Sequence, residues 1–257
     1  MTMRGYLSVL WACCILFTAV AGCLSEDDES NSIQLQVNFP TSNGTIAEFY
    51  IDGELESRVN PVLDFDFSNT KSEYTLVTLG IDSTGDGTSV VPTEVSDIIS
   101  LEFLQHGIFY LDAFAIDELG NRVNQTILIR IELNIHWIEE TTYSPKSLEI
   151  DSLPKNGGPY PSNIIIDSNV ENPELIENIG GGREVEITWY LFDETEHACL
   201  VRPTTVDEGE IANWKVNHRI TSEIHDLTIS YDSGQDYIDI DQSISILYEE
   251  IESPPNP

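Results

Sequence analysis

Short segments in which every second residue is apolar recur along this sequence. Ile33, Leu35 and Val37 follow this pattern near the start, and the segments 127–133 and 185–191 repeat it further on. A period of two places the apolar residues on one face of a strand. No stretch keeps the 3.6-residue period of an amphipathic helix, and turn-forming residues separate the segments. The sequence therefore predicts an all-β chain of antiparallel β-sandwiches.

The segments fall into two groups, which we interpret as two tandem immunoglobulin-like domains. Residues 33–135 form the first predicted domain and residues 162–250 the second, a β-rich sandwich. Residues 136–161 are interpreted as a linker, and the acidic, proline-rich residues 251–257 as a disordered tail. Within the first domain, Asp52-Gly53 predicts a two-residue hairpin turn, since both residue types tolerate a positive φ.

The first 23 residues have the layout of a secretory signal. Arg4 supplies a positive charge, an apolar run follows, and the run ends in Val20-Ala21-Gly22-Cys23. This tetrad resembles the lipobox of prokaryotic lipoproteins. The resemblance implies that residues 1–22 are a signal peptide and that Cys23 is lipidated, with residues 23–32 as an acidic tether. The alternative is an uncleaved membrane helix, because residues 6–24 carry no charge. Either interpretation predicts an extracytoplasmic protein anchored to the cell membrane or envelope.

The charge balance is strongly acidic, with 45 Asp and Glu against 11 Lys and Arg and a net charge of −34. Such a surface repels phosphate backbones, so the composition excludes a nucleic-acid partner. Salt screens repulsion between surface carboxylates, and the composition favours a marine or halophilic, archaeal host. Some of these carboxylates could instead bind Ca²⁺.

Four short pieces occur in a characteristic order. They are 63–69 (Leu-Asp-Phe-Asp-Phe-Ser-Asn), 81–88 (Ile-Asp-Ser-Thr-Gly-Asp-Gly-Thr), 107–110 (Gly-Ile-Phe-Tyr) and 115–121 (Ala-Ile-Asp-Glu-Leu-Gly-Asn). This order resembles that of PKD domains over residues 33–135. Two departures are Ile81, where the family usually has Trp, and a longer segment at 92–105. The resemblance implies an extracellular spacer or binding module without catalysis.

The piece at 82–87 also has the opening of a calcium loop. Asp82, Thr84 and Asp86 supply oxygen ligands at alternate positions, and a glycine follows. The bidentate glutamate of an EF-hand is missing, because Thr93 occupies the twelfth position. A sandwich turn without an ion explains the same residues, since glycine and aspartate are common turn formers. Calcium is therefore the cofactor that this loop suggests, and a chain without a cofactor is the alternative.

Histidine and cysteine suggest a second metal site, for zinc. His197, Cys199, His218 and His225 lie in the second half, and on a strand His197 and Cys199 would share a face. Their spacing matches no known zinc motif. Solvated histidines and a core cysteine are the alternative interpretation. After Cys23 the chain has only Cys199, so it cannot form an internal disulfide.

Other surface features point to ligands rather than to catalysis. Asn43 and Asn124 begin Asn-x-Thr triplets compatible with glycosylation. Tryptophans and tyrosines of the second half could stack on sugar rings if they were exposed, although Trp189 has the pattern of a core residue. The chain contains no nucleophile elbow, zinc-protease motif, phosphate loop or dinucleotide fingerprint.

These observations favour a non-catalytic, lipid-anchored cell-surface module for binding, structure or adhesion. Its expected partners are the membrane, through the N-terminal lipid or helix, and a surface protein or glycan. The first alternative is a substrate-capturing lipoprotein of a transporter. The second is an extracytoplasmic hydrolase, for which Asp64 and Asp66, or Asp239 and Asp241, would supply paired carboxylates on one face of a strand.

Overall fold

The structure is a computed structural model that describes residues 32–83, 87–92, 95–174, 183–220, 223–234 and 236–257. Every regular element of this part of the chain is a strand. In chain order the strands are β1 (Ile33–Gln34), β2 (Asn43–Ile51), β3 (Glu54–Val59), β4 (Val62–Asp66), β5 (Lys71–Ser72), β6 (Leu76–Ser83), β7 (Gly87–Pro92), β8 (Ile98–Glu102), β9 (Gly107–Asp117), β10 (Arg122–Thr142), β11 (Leu148–Asp151), β12 (Asn163–Asn172), β13 (Val185–Asp193), β14 (Ala198–Val206), β15 (Glu210–Arg219), β16 (Ile224–Ser233) and β17 (Ile238–Leu247). The prediction of an all-β sandwich fold is confirmed.

The long strand β10 joins the two halves of the chain. Its residues 122–131 pair with β9, and its residues 133–142 pair with β17. Strand β2 runs parallel to β10 over residues 130–138. The resulting nine-stranded sheet has the order β15-β12-β17-β10-β9-β6-β7, with the β2–β3 hairpin attached to β10. Strands of both predicted domains therefore belong to one sheet.

This sheet corrects the predicted domain division. Residues 33–257 form one compact unit with a single hydrophobic core cluster, so the chain is not separated at residue 135. The predicted linker 136–161 begins with the last seven residues of β10 and also contains β11. Ile135 and Trp137 are buried and continue the apolar alternation of the strand. Burying these side chains favours a longer strand over a break.

Smaller sheets cover the nine-stranded sheet. Strands β11, β16, β13 and β14 form a four-stranded sheet in the order β11-β16-β13-β14, and β4 pairs with β8. Trp189 of β13 contacts Trp214 of β15, with ring centroids 6.0 Å apart, so the four-stranded sheet packs on the β15 end. Phe103, next to β8, packs edge-on against Phe109 of β9 at 4.9 Å. The fold thus has two sandwich-like halves that share one sheet.

The turn between β2 and β3 has the predicted conformation. Asp52 has φ 49° and Gly53 has φ 81°, and the two residues connect antiparallel strands. Positive φ at both central residues matches the twist of a tight hairpin. The hairpin prediction is confirmed.

The C-terminal segment was predicted to be disordered, and this prediction is wrong. The backbone N–H of Asn256 donates to the carbonyl of Phe39, and that of Ser253 donates to the carbonyl of Leu128, both at 2.9 Å. The guanidinium of Arg130 also makes two hydrogen bonds to the carboxylate of Glu252, at 2.7 and 2.8 Å. Charge-assisted pairs of this kind fix a segment that has few apolar side chains.

Among the described residues, no helix is long and apolar enough to cross a membrane.

Candidate functional site

Several predicted site residues lie outside the described residues. These are Cys23, with the whole predicted signal and most of the tether, and Thr84 and Asp86 of the calcium loop. Asp82 is described and lies within β6, where its register partners are Thr88 of β7 and Asp112 of β9. The lipidation and calcium sites stay predictions.

Both asparagines of the possible glycosylation triplets are exposed. The side chain of Asn43 donates to Glu252 over 3.4 Å, and that of Asn124 donates to Asp112 over 2.6 Å. An exposed asparagine is what a glycosylation site requires, and the modification stays a prediction.

The four residues of the predicted zinc set lie in two pairs. His197 and Cys199 lie with Asp193 in a group whose ligand atoms are all within 4.8 Å of one another. His218 of β15 and His225 of β16 contact each other across the two sheets, with ring centroids 5.5 Å apart. Asp193 connects the pairs, because it is the register partner of His225 in the β13–β16 ladder. Asp193 is an additional candidate ligand that was not predicted from the sequence.

The two contacting histidines differ from solvated surface histidines. His225 is 0 % exposed, and within the described part of the chain neither of its ring nitrogens has a hydrogen-bond partner. The same holds for Nε2 of His218. Burial lowers the pKa of both imidazoles, since it penalises their charged forms.

Aromatic side chains line the outer face of the four-stranded sheet. Because Trp189 and Leu191 of β13 are buried inside the sandwich, the alternating Tyr190 and Phe192 lie on the opposite face. Their rings are stacked, with centroids 5.2 Å apart and planes inclined by only 10°. Both residues are half-buried, so part of this aromatic pair is accessible to solvent.

Polar groups flank this pair on the neighbouring strand β16. Thr228 is the register partner of Tyr190, and Asp226 is the register partner of Phe192. Ser147, which precedes β11, lies 3.1 Å from the hydroxyl of Thr228. We call these five residues the aromatic face. A depression of about 490 Å³ lies over part of it and is also lined by Asp193 and Glu196.

The three tryptophans of the second half do not contribute to this surface. Trp137, Trp189 and Trp214 are all buried, which agrees with their interpretation as core residues. The residues that carry the aromatic face could have been found from the sequence. They are the outward positions of segments whose inward positions are apolar.

A second depression, of about 390 Å³, combines charges of both signs. Arg58 and Lys155 lie in its wall, and each pairs with a carboxylate, Glu48 at 3.3 Å and Asp151 at 2.7 Å. Burial and the neighbouring Glu48 raise the pKa of Tyr50 to about 12. The phenol therefore stays protonated at neutral pH, which makes it a poor nucleophile.

Asp239 and Asp241, a carboxylate pair considered for a hydrolase, both have hydrogen-bond partners within the fold. Asp239 accepts the backbone N–H of Thr141 at 2.6 Å, and Asp241 lies 2.9 Å from Nε2 of His136. Each of these contacts uses only one oxygen of its carboxylate, Oδ1.

No family model matches the sequence, and no match was found among curated proteins. Solved structures that match the chain weakly include a carbohydrate-binding module of the β-sandwich superfamily, with 9 % identity and a TM-score of 0.32 over 86 % of this chain and 94 % of the module. A Bacteroides uniformis β-glucuronidase matches with 9 % identity and a TM-score of 0.29, over 87 % of this chain and 30 % of the enzyme.

A third structure contains the CBM51-2 module with GlcNAc and INT domains from Clostridium perfringens ZmpB. It matches with 8 % identity and a TM-score of 0.26, over 85 % of this chain and 49 % of that protein. The chain thus spans nearly all of the first structure but half or less of the other two. At these TM-scores the likenesses say nothing about what this chain binds.

Proposed function

We propose that this chain is a non-catalytic, extracytoplasmic binding module whose aromatic face binds a glycan. The observation that carries the proposal is the flat stack of Tyr190 and Phe192 beside Asp226 and Thr228. Sugar rings present C–H faces that pack on aromatic rings, and their hydroxyl groups donate hydrogen bonds to carboxylates. The aromatic face offers both kinds of contact on adjacent strands.

The charge of the protein narrows the class of glycan. With a net charge of −34 and Asp226 in the aromatic face, an anionic sugar would be repelled on approach and on contact. We therefore expect a neutral or amino-substituted oligosaccharide. Sulfated and uronic-acid polymers should bind poorly.

The N-terminus completes the proposal. The lipobox-like tetrad ending in Cys23 would anchor the protein to the membrane by a lipid, and the acidic residues 23–32 would hold the folded unit away from the anionic lipid surface. The PKD-like resemblance of residues 33–135 is compatible with a spacer role for the first half. The aromatic face on the second half would then face the surroundings of the cell.

Binding can be tested with the full-length chain in detergent. A panel of neutral, amino-substituted and anionic oligosaccharides would be screened, and dissociation constants measured by calorimetry. Loss of one stacked ring costs roughly 1.4 kcal/mol, so Phe192→Ala should weaken binding about tenfold. Tyr160→Ala removes an exposed ring that is not part of the aromatic face and should leave affinity unchanged. Equal affinities for wild type and Phe192→Ala, or no binding by any sugar at millimolar concentration, would contradict the proposal.

A further inference from the structure

The turn between β13 and β14 brings three different metal-ligating side chains together. Asp193 ends β13, His197 closes the turn, and Cys199 is the second residue of β14. Oδ2 of Asp193 lies 3.9 Å from Nδ1 of His197, and the ligand atoms of all three residues lie within 4.8 Å of one another. A carboxylate, an imidazole and a thiol at such distances are a ligand set that suits zinc.

A β-bulge places Cys199 in this group. Leu191 pairs with Leu200 and Phe192 pairs with Ala198, so Cys199 is an additional residue between the two pairs. An extra residue bends the strand and changes the direction of its side chains. In a strand without the bulge, strict alternation would place the side chain of Cys199 on the face opposite to those of Ala198 and Leu200.

His225 supplies an independent indication of a ligand at this end of the sandwich. It lies opposite Asp193 in the β13–β16 ladder, and directly opposed residues of antiparallel strands project to the same face of the sheet. His225 is 0 % exposed, and no described residue bonds to either of its ring nitrogens. A buried polar atom without a partner is costly, and a metal ion would satisfy one of these nitrogens.

We propose that Asp193, His197, Cys199 and His225 bind one transition-metal ion of the zinc class. Bond lengths of 2.0–2.3 Å around a tetrahedral ion place ligand atoms roughly 3.3–3.8 Å apart. The group of three therefore has to contract by about 1 Å from its present limit, which side-chain rotation at a turn allows. His225 lies outside this 4.8 Å group, so a ring nitrogen of His225 also has to move toward it when the ion binds. Calcium and magnesium prefer oxygen ligands throughout and should not bind here.

His218 is a positioning residue for this site. Its ring meets that of His225 nearly at right angles, at an interplanar angle of 73°. An imidazole packed in this way limits rotation of the His225 ring and so orients its nitrogens.

The proposal can be tested with the metal alone, so its outcome does not depend on glycan binding. The full-length chain, reduced and freed of metal by chelation, would be titrated with Co²⁺. We expect one equivalent to produce the intense visible bands of tetrahedral cobalt and a sulfur-to-cobalt charge-transfer band in the near ultraviolet. Zn²⁺ should abolish both, and Ca²⁺ should change neither. Absence of the bands in the wild type would overturn the proposal.

Substitutions then assign the ligands. Cys199→Ser should abolish the charge-transfer band, and His197→Ala should weaken cobalt binding by at least about tenfold. His136→Ala is the matched control, because it removes another exposed histidine that neighbours an aspartate. Unchanged cobalt affinity and spectrum in His197→Ala or Cys199→Ser would contradict the assignment.

The buried ligand needs a measurement that does not depend on folding of a variant. X-ray absorption of the zinc-loaded wild type counts sulfur and imidazole ligands directly. One sulfur and two imidazoles are expected. A spectrum with a single imidazole would remove His225 from the site, and a spectrum without sulfur would remove Cys199.

Discussion

Replacing Ser168 by alanine should destabilise the entire described fold. Ser168 of β12 accepts the indole N–H of Trp189 at 2.9 Å and donates to the side-chain carbonyl of Gln242 at 3.2 Å. All three residues are at most 1 % exposed, so water cannot replace either bond without entering the core. The hydroxyl therefore links β12 and β17 of the large sheet to β13 of the covering sheet.

The expected loss of stability follows from two groups that the substitution leaves without a partner, the indole N–H of Trp189 and the side-chain carbonyl of Gln242. Each unsatisfied buried group costs roughly 1–3 kcal/mol, so Ser168→Ala should lower the free energy of unfolding by about 3 kcal/mol. In a domain of this size each kcal/mol lowers the melting temperature by roughly 2–4 °C, which gives a shift of about 6–12 °C. Removal of one oxygen atom leaves little empty volume, so the cavity contribution is small.

Urea unfolding followed by tryptophan fluorescence and by far-ultraviolet circular dichroism measures this loss. Because the described tryptophans lie in the second half and the two halves share β10, both probes should report one transition, shifted equally by the substitution. The control is Ser245→Ala, which removes a half-buried hydroxyl that accepts a hydrogen bond from Asn134. It should lower the free energy of unfolding by less than Ser168→Ala does. In a Trp189→Phe background the cost of Ser168→Ala should fall, since the indole N–H is absent. A cost below about 0.5 kcal/mol, or separate transitions for the two probes, would refute the reasoning.

Two further predictions concern carboxylates. Burial raises the pKa of Glu139, so the folded state binds the proton of this carboxyl more tightly than the unfolded state does. The free energy of unfolding therefore falls as pH rises from the unfolded pKa through the folded pKa. Glu139→Gln should therefore be more stabilising at pH 7 than at pH 4, compared with the exposed control Glu140→Gln, and equal effects in urea unfolding would contradict this. The hydrogen bonds from Arg130 lower the pKa of Glu252, so the stability that this pair contributes is present above the unfolded pKa and is lost as pH falls through the folded pKa. Glu252→Ala should lower the free energy of unfolding by about 1–2 kcal/mol at pH 7 and by less in acid. It should also make the C-terminal segment sensitive to carboxypeptidase. Resistance to carboxypeptidase equal to that of the wild type would contradict the docking of this segment.

Local signals in the sequence predicted the elements well. Asp52-Gly53 predicts a hairpin turn, and β3 returns directly after it over Glu54–Val59. The strand β14 was not predicted. Most of its residues are exposed or half-buried, so it has little of the alternation that marks a strand. Sequence periodicity detects burial, and an edge strand with little burial gives a weak signal.

Pairing between distant strands was not predictable in the same way. The alternation that ends in Ile135 and Trp137 was visible, so the length of β10 could have been read from the sequence. Its partners could not, because β9, β2 and β17 pair with the overlapping stretches 122–131, 130–138 and 133–142, and no local pattern in β10 distinguishes them. The division at residue 135 therefore lies inside this pattern, before Trp137.

The candidate metal ligands also depend on contacts between residues that are distant in the sequence. His197 and Cys199 were selected together because they are two residues apart. Asp193 was missed because one aspartate among 45 acidic residues carries no local signal. Its pairing with His225 depends on the β13–β16 register, which brings together residues 32 positions apart in the chain.

The two proposed sites take neighbouring residues from the same two strands. On β13, Phe192 belongs to the aromatic face and the next residue, Asp193, to the metal-ligand group. On β16, Asp226 belongs to the aromatic face and the preceding residue, His225, projects between the sheets. Asp193 also lines the depression over the aromatic face, so the substitutions are made at Phe192 and His197, each of which belongs to only one of the two sites. Loss of glycan binding with intact cobalt binding, or the reverse, therefore identifies which of the two sites has been changed, and loss of both indicates damage to the strands themselves.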